Sequence, residues 1–312
     1  MTSIIKSLNS GRVKGHYRLE VRKVGTNNLK KVREFDNLIT DHLLKVYSGK
    51  IDVIDMYFVV GTGTTPHKYT DLDLGNQIAY SKANSNSTIV INPTAPDYIS
   101  ARRFSTRFNT GAINNTITEV GITNSGNSRL CSASLILDDK GNPTSITIGA
   151  DEYLDIFYEL YYYPNLEETT GSFELDGNTY QYIAKPYKMN SNAVNGVSGI
   201  YNVVASIYDK NAKVEGLEYT YNGLSQKDCT WLSVDENPRK VTYTLELNEG
   251  NLTDNLIGGV SLYTYSYSSD GYGKSNITHN TRFIFTPAIP KDNTCSFKFT
   301  FELPTFSRYS EP

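Results

Sequence analysis

Cysteine, histidine and tryptophan are scarce in this chain, and long apolar runs are missing. The three cysteines, Cys131, Cys229 and Cys295, are widely separated and odd in number. None has the short spacing that a zinc site or a redox dithiol requires, which argues against a disulfide framework or a cysteine-bound metal. The four histidines, His16, His42, His67 and His279, have no Gly-x-Ser-x-Gly neighbour and no zinc-type partner at short spacing. Each reads as a surface or structural residue, and no catalytic, metal-binding or cofactor-binding residue is assigned. No stretch approaches membrane-spanning length, and no apolar run follows the opening residues as in a signal peptide. Synthesis in a cytoplasm without membrane insertion is the expectation. A net charge of −3 on 312 residues carries no nucleic-acid footprint.

What is abundant is aromatic and turn-forming. There are 24 Tyr and 12 Phe beside one Trp. Aromatic and β-branched residues suit a half-buried pleated surface, and Asn, Gly and Ser supply turns. The fold class expected is all-β: two β-sandwich-like modules preceded by an N-terminal hairpin and one short helix. The expected parts are a basic hairpin or anchor at 1–36, a first module at 37–165, a connecting hairpin and loop at 166–199, and a second module at 200–312.

Within that frame a pattern recurs. The block starting at Phe104 matches the block starting at Tyr243, Ile113 matches Leu252, Val120 matches Val260 and Ile122 matches Leu262. Both blocks close on alternating strands ending in Glu-Leu, at Leu154 to Leu160 and at Phe297 to Leu303. A duplication accounts for this, and so do two unrelated sandwiches that obey the same pleat rule. Alternation at Tyr17, Leu19 and Val21, a turn at 25–28 and a return through Val32 and Phe35 make a hairpin. Residues 37–49 read as a helix capped by Asn37 or Thr40, with Leu43, Leu44, Val46 and Tyr47 on its apolar face and Gly49 at its end. A continuous apolar strand over 55–60 leads into Gly61-Thr62-Gly63-Thr64-Thr65-Pro66. That loop lacks the Gly-Lys-Ser/Thr ending of a phosphate loop, so its glycines read as a sharp exit from the strand. Residues 71–78 read as a short extended or helical segment. Asp176-Gly177-Asn178 turns a further hairpin.

Two surfaces stand out. Residues 1–33 hold nine Lys/Arg and one acid. Arg12, Lys14, Arg18, Arg22 and Lys23 therefore form a candidate anchoring face, the alternative being a solvated hairpin face. Tyr263, Tyr265, Tyr267 and Tyr272 form a candidate interaction surface suited to protein or sugar, the alternative being a core-facing stripe. Carboxylate pairs at Asp71/Asp73, Asp138/Asp139, Asp151/Asp155 and Glu167/Glu168 are the raw material for a glycosidase, but sequence places none across a cleft.

Several pieces together resemble a pattern in virion proteins of tailed bacteriophages. They are Asn37-Leu38-Ile39-Thr40-Asp41, then Val60 to Pro66, Thr70-Asp71, Leu74-Gly75-Asn76-Gln77-Ile78, and Ile117-Thr118-Glu119-Val120-Gly121-Ile122. The resemblance covers roughly residues 35–163. It implies a non-enzymatic structural protein of the tail, baseplate, fibre or capsid surface that acts in assembly and host attachment, located in the virion and needing no cofactor. The implied partners are other virion proteins, further copies of the chain in a homo-oligomer, and a host-surface glycan or protein receptor. The alternatives are a carbohydrate-binding adhesin or a capsid-decoration protein, and, further off, a glycan-degrading tail enzyme.

Overall fold

The computed structural model describes residues 2–5, 11–26, 28–47, 56–92, 99–124, 129–165, 167–186, 202–212, 224–233, 240–252, 254–266, 276–303 and 305–309. The first half runs β1 (Thr2–Ile5), β2 (Gly11–Lys23), β3 (Leu29–Asp36), β4 (Leu38–Ile39), α1 (Asp41–Tyr47), β5 (Met56–Gly61), β6 (Gln77–Lys82), β7 (Asn84–Asn92), β8 (Ile99–Phe108), β9 (Thr116–Ile117), β10 (Glu119–Asn124), β11 (Arg129–Leu135), β12 (Ile146–Thr147) and β13 (Glu152–Tyr163). The second half runs β14 (Thr169–Leu175), β15 (Asn178–Pro186), β16 (Asn202–Asp209), β17 (Leu224–Asp228), β18 (Thr230–Ser233), β19 (Lys240–Leu245), β20 (Leu256–Ser266), β21 (Asn276–Pro290), β22 (Phe297–Glu302) and β23 (Phe306–Arg308). The chain is all-β with one short helix, as its composition leads one to expect.

Each half is built around two larger sheets whose inner faces share a core, and the first half adds the two-stranded pair of β9 and β12. In the first half the strand orders are β4-β11-β10-β5-β6 and β23-β2-β13-β8-β7, with β3 beside β2. Alternate residues such as Leu19, Phe58, Val60, Phe104, Ile122, Ile156 and Tyr158 meet in one apolar cluster. The hydroxyl of Tyr17 on β2 crosses this cluster to Ser132 on β11, tying one sheet to the other. In the second half the orders are β14-β15-β21-β20-β16-β17 and β1-β22-β19-β18. Its core is strongly aromatic: Phe285 stacks on Phe299 at 5.8 Å and Phe283 meets Phe301 at 5.1 Å. Such ring pairs add about 1 kcal/mol each beyond their buried area.

The recurrence seen in the sequence is a recurrence of topology. The run β11-β10-β5-β6 has the order of β21-β20-β16-β17, and β13-β8-β7 has the order of β22-β19-β18, every neighbouring pair being antiparallel. The switch between sheets is made the same way in both halves. One residue, Ala83 or Cys229, separates the two strands, and its N–H donates to the neighbouring strand at Met56 or Val203. Register differs by two residues. Phe104 lies opposite Tyr158, whereas Tyr243, its match in sequence, lies opposite Phe299 rather than Phe301. A slip of two leaves every side chain on its original face, so both cores survive it. Ile136 and Lys291 also occupy equivalent places, each donating its N–H to the segment ahead of the central strand, at Thr118 and Asn255. Ile136 is core, while the buried Lys291 ammonium donates to the Leu247 and Asp292 carbonyls and to Asn251 Oδ1.

Several boundaries differ from the sequence expectation. The hairpin within 1–36 is no separate arm: β2 lies in the first-half sheet against all of β13, because both its faces carry residues that need partners. The hairpin within 166–199 is an edge of the second-half sheet, since Phe173, Leu175, Tyr180 and Tyr182 belong to that core. The helix is confined to Asp41–Tyr47, because Leu38 and Ile39 pair with β11 instead. Thr40, not Asn37, caps it, accepting from the Leu43 N–H at 3.3 Å. The turns at Gly25 and at Asp176-Gly177 are present with positive φ. Gly49, the loop at 190–199 and the module start at Ile200 lie outside the described residues.

The terminal strands are exchanged. β1 pairs in parallel with β22 of the second half, and β23 pairs in parallel with β2 of the first. Leu303 is in the second core, and three residues later Phe306 is in the first, against Tyr162 at 5.7 Å. Replacing Phe306 by Ala is expected to cost about 3 kcal/mol. A lowered urea midpoint followed by circular dichroism is the test, and an unchanged midpoint would refute the structural role given to β23.

Candidate functional site

Three of the segments singled out in the sequence, 60–66, 74–78 and 117–122, meet at one side chain, Glu119. It opens β10 and points away from the core that its neighbour Val120 enters, yet it is 0% exposed. The segment 62–76 lies over it. One carboxylate oxygen accepts the backbone N–H groups of Gly63 and Asn76, each at 2.8 Å, and the other accepts that of Gly75 at 2.9 Å. The His67 ring is buried beside it, with Nε2 3.1 Å from Glu119 Oε2 and Nδ1 3.4 Å from Asp71 Oδ2. Nε2 lies off the line of a directed hydrogen bond, so the ring sits against the carboxylate as a close polar contact.

This geometry explains the glycines. A Cβ on Gly61 would stand 2.3 Å from Glu119 Oε1, and one on Gly63 would stand 2.5 Å from it. The glycines thus permit close approach of backbone to carboxylate, which replaces the sharp-exit explanation. The loop is an anion cradle after all, but the anion is the protein's own. Thr118 completes the clasp: its N–H donates to the Gly61 carbonyl and its hydroxyl to the Gly63 carbonyl. Thr62 and Asn76 close the base of the loop by a backbone and a side-chain hydrogen bond. Residues 71–76 form loop rather than a regular element, and β6 begins only at Gln77.

The remaining motif residues fasten the far side of the same loop. Leu74 packs with Val59, Leu130 and Ala133 in a small cluster on the outer face of the sheet, which is why β5 reads as buried on both faces. The Leu72 carbonyl accepts from Leu130 N–H, and the Tyr69 carbonyl from Asp41 N–H, both at 2.8 Å. Arg308 of β23 reaches in from the other end of the chain. Its guanidinium contacts the Asp41 carboxylate, donates to the Ile39 carbonyl at 2.7 Å, and lies 3.8 Å over the Tyr69 ring.

Chemically this is a pin. Burial alone would raise the Glu119 carboxyl, but His67 and the Asn76, Gly75 and Gly63 amides outweigh it and hold the group down at about 2. An inaccessible carboxylate with its lone pairs occupied is no general base. Among the described residues no cluster of three His, Cys, Asp or Glu is arranged to hold a metal ion.

The other sequence candidates fall elsewhere. Tyr263 is buried, 3% exposed, with its hydroxyl 3.0 Å from that of Tyr208. It is therefore no exposed interaction residue. Tyr267 and Tyr272, and the side chain of Tyr265, lie outside the described residues. The basic face is neutralised from within. Lys14 pairs with Asp36 at 2.8 Å, Lys23 with Asp151 at 2.7 Å, and Arg18 and Arg22 both clasp Glu20 at 2.6 Å, while Arg12 lies over the Tyr309 ring. Four of these five residues are thus engaged in ion pairs within the fold, and Arg12 with a ring. The acids also serve local ends: Asp155 forms a two-pronged pair with Arg107, and Asp138 accepts from the turn amides of Lys140 and Asn142.

No protein-family profile, curated protein or solved structure matches this chain.

The Glu119→Gln variant turns an acceptor into a donor facing donors, and is expected to lose about 3 kcal/mol at neutral pH. A carboxyl depressed on folding stabilises fully above its unfolded value near 4.5, and that contribution is lost as pH falls towards about 2. Denaturant midpoints measured from pH 7 to pH 2 should show the gap between wild type and variant closing over that window. A gap that stays constant would mean that Glu119 is not charged in its cradle.

Proposed function

We propose that the chain is a non-enzymatic structural protein of a tailed-bacteriophage virion, placed in the tail, baseplate or fibre region and acting in assembly and host attachment. The observation that carries this reading is the convergence on Glu119. Of the five short motifs between Asn37 and Ile122 that carry the likeness to virion proteins, three supply the buried carboxylate and its amide donors, and the other two fasten the loop that covers it. A motif set that is retained for chemistry leaves an accessible reactive group. This set encloses its charge completely and uses glycine, histidine and threonine to lock a surface loop on a β-sandwich. That is the economy of a scaffold presented to neighbours, in keeping with a particle component.

The exposed side of the locked loop is the part offered to a neighbour. Tyr69 and Leu72 stand exposed on it, and the Arg308 contact sets the Tyr69 ring in place. A rigid aromatic presented on a fixed loop costs little entropy to bury against a partner. The test is to raise antibodies against the purified chain and probe density-gradient fractions of phage particles that encode it. Co-sedimentation with intact particles, and loss of adsorption to host cells after antibody treatment, are expected. Recovery solely among unassembled proteins of the infected cell would overturn the proposal.

A further inference from the structure

The sheet edges among the described strands are short or charged except at one side of the first half. Among the described strands, β4, β23, β1 and β18 are edges of two to four residues. β3 carries Lys30, Lys31, Arg33, Glu34 and Asp36. β14 carries Glu174 and lies against β1, and β17 carries Lys227 and Asp228. Short length and charge are the usual protection of an edge against strand addition. β7 has neither, and β6 has a single charge, Lys82 at its end. From Gln77 to Ser81 and from Asn84 to Asn92 there is no charged residue and no proline, and both strands are terminal in their sheets. The two follow one another across Ala83, so the open edges lie on the same side of the sandwich. The equivalent arch of the second half, β17 to β18, is the one with Lys227 and Asp228. The same topology has thus been protected in one half and left open in the other.

β6 also offers side chains to a neighbour. Ile78 and Tyr80 point outward at 39% and 59% exposure, and the Tyr80 ring is braced edge-on by Tyr57 at 6.1 Å. The strand matches itself. An antiparallel pairing with a two-fold axis at Ala79 sets Ile78 opposite the partner's Tyr80 and Tyr80 opposite the partner's Ile78, on one face. Lys82 then falls opposite the partner's Asn76, so no like charges meet. Apart from Lys82 at its end, this edge has nothing to pair the charges of a charged partner strand.

We infer that β6 is a self-association edge at which a second copy of this chain adds antiparallel, joining two five-stranded sheets into one. The inference stands apart from the particle proposal, because a dimer in solution is decided without any virion.

Sedimentation equilibrium of the full chain over a micromolar concentration series is the first measurement. Wild type is expected to dimerise. The Ile78→Lys/Tyr80→Lys variant should associate at least about tenfold more weakly with its thermal midpoint kept, because both side chains are already exposed. Val24→Lys, at an exposed hairpin tip, should dimerise like wild type. Register is tested by cysteine pairs under mild oxidant. Ile78→Cys mixed with Tyr80→Cys should give a covalent dimer, since opposite positions lie within disulfide reach. Ile78→Cys alone should not, since its two copies sit diagonally at roughly 7–8 Å. A monomeric wild type, a lysine variant that dimerises undiminished, or cross-linking without this register preference would each overturn the inference. So would a monomer that instead captures an added extended peptide at β6.

Discussion

A carboxylate without water is an expensive object, and Glu119 is the point on which the first half of this protein turns. Three backbone amides and a buried imidazole offset its desolvation. Those donors come from both ends of one loop, so satisfying the charge and closing the loop are a single event. With the ends fixed, Leu74 is held over Val59 and Leu130, and the Tyr69 carbonyl is held over the start of α1. The glycines at 61 and 63 are the steric condition for all of this.

Much of the fold was legible in the chain because period-two alternation is a local signal. The hairpins at 16–35 and 173–180 and the correspondence of 104–160 with 243–303 rest on it, and the strand at 55–60 rests on an equally local apolar run. The candidate site was legible only in fragments. Its glycines were visible, but their reason stands at Glu119, far along the chain, and nothing local links the two. The basic cluster misled for the same cause: the acids that neutralise it sit on β2, β3 and around the start of β13, and only the sheet brings Asp151 to Lys23. Tyr263 misled because alternation tells which residues share a face and not whether that face is covered. Its polar neighbours Tyr208 and Ser261 are buried with it.

The two halves show what a common topology constrains and what it leaves free. Strand order, antiparallel sense and the one-residue switch between sheets are shared. Core chemistry is not: one core mixes aliphatic residues with tyrosines bonded across it, and the other is a stack of phenylalanines. Even a core position can change character, as Ile136 and Lys291 do, provided the new polar group finds its hydrogen bonds. Edges differ too, and an edge decides association where a core decides stability.

The exchange of terminal strands sets a timetable. During synthesis β1 emerges before the other strands described, but its register joins Thr2 to Lys298 and Ile5 to Phe301. β2 likewise waits for Phe306 to Arg308 before its first residues gain their outer neighbour. Pairings of such long sequence separation form late. A nascent or prematurely ended chain therefore leaves both halves with an unfilled edge, and neither half is finished until the other has been made. Each half is thus closed by a strand that lies on the far side of the other half in the sequence.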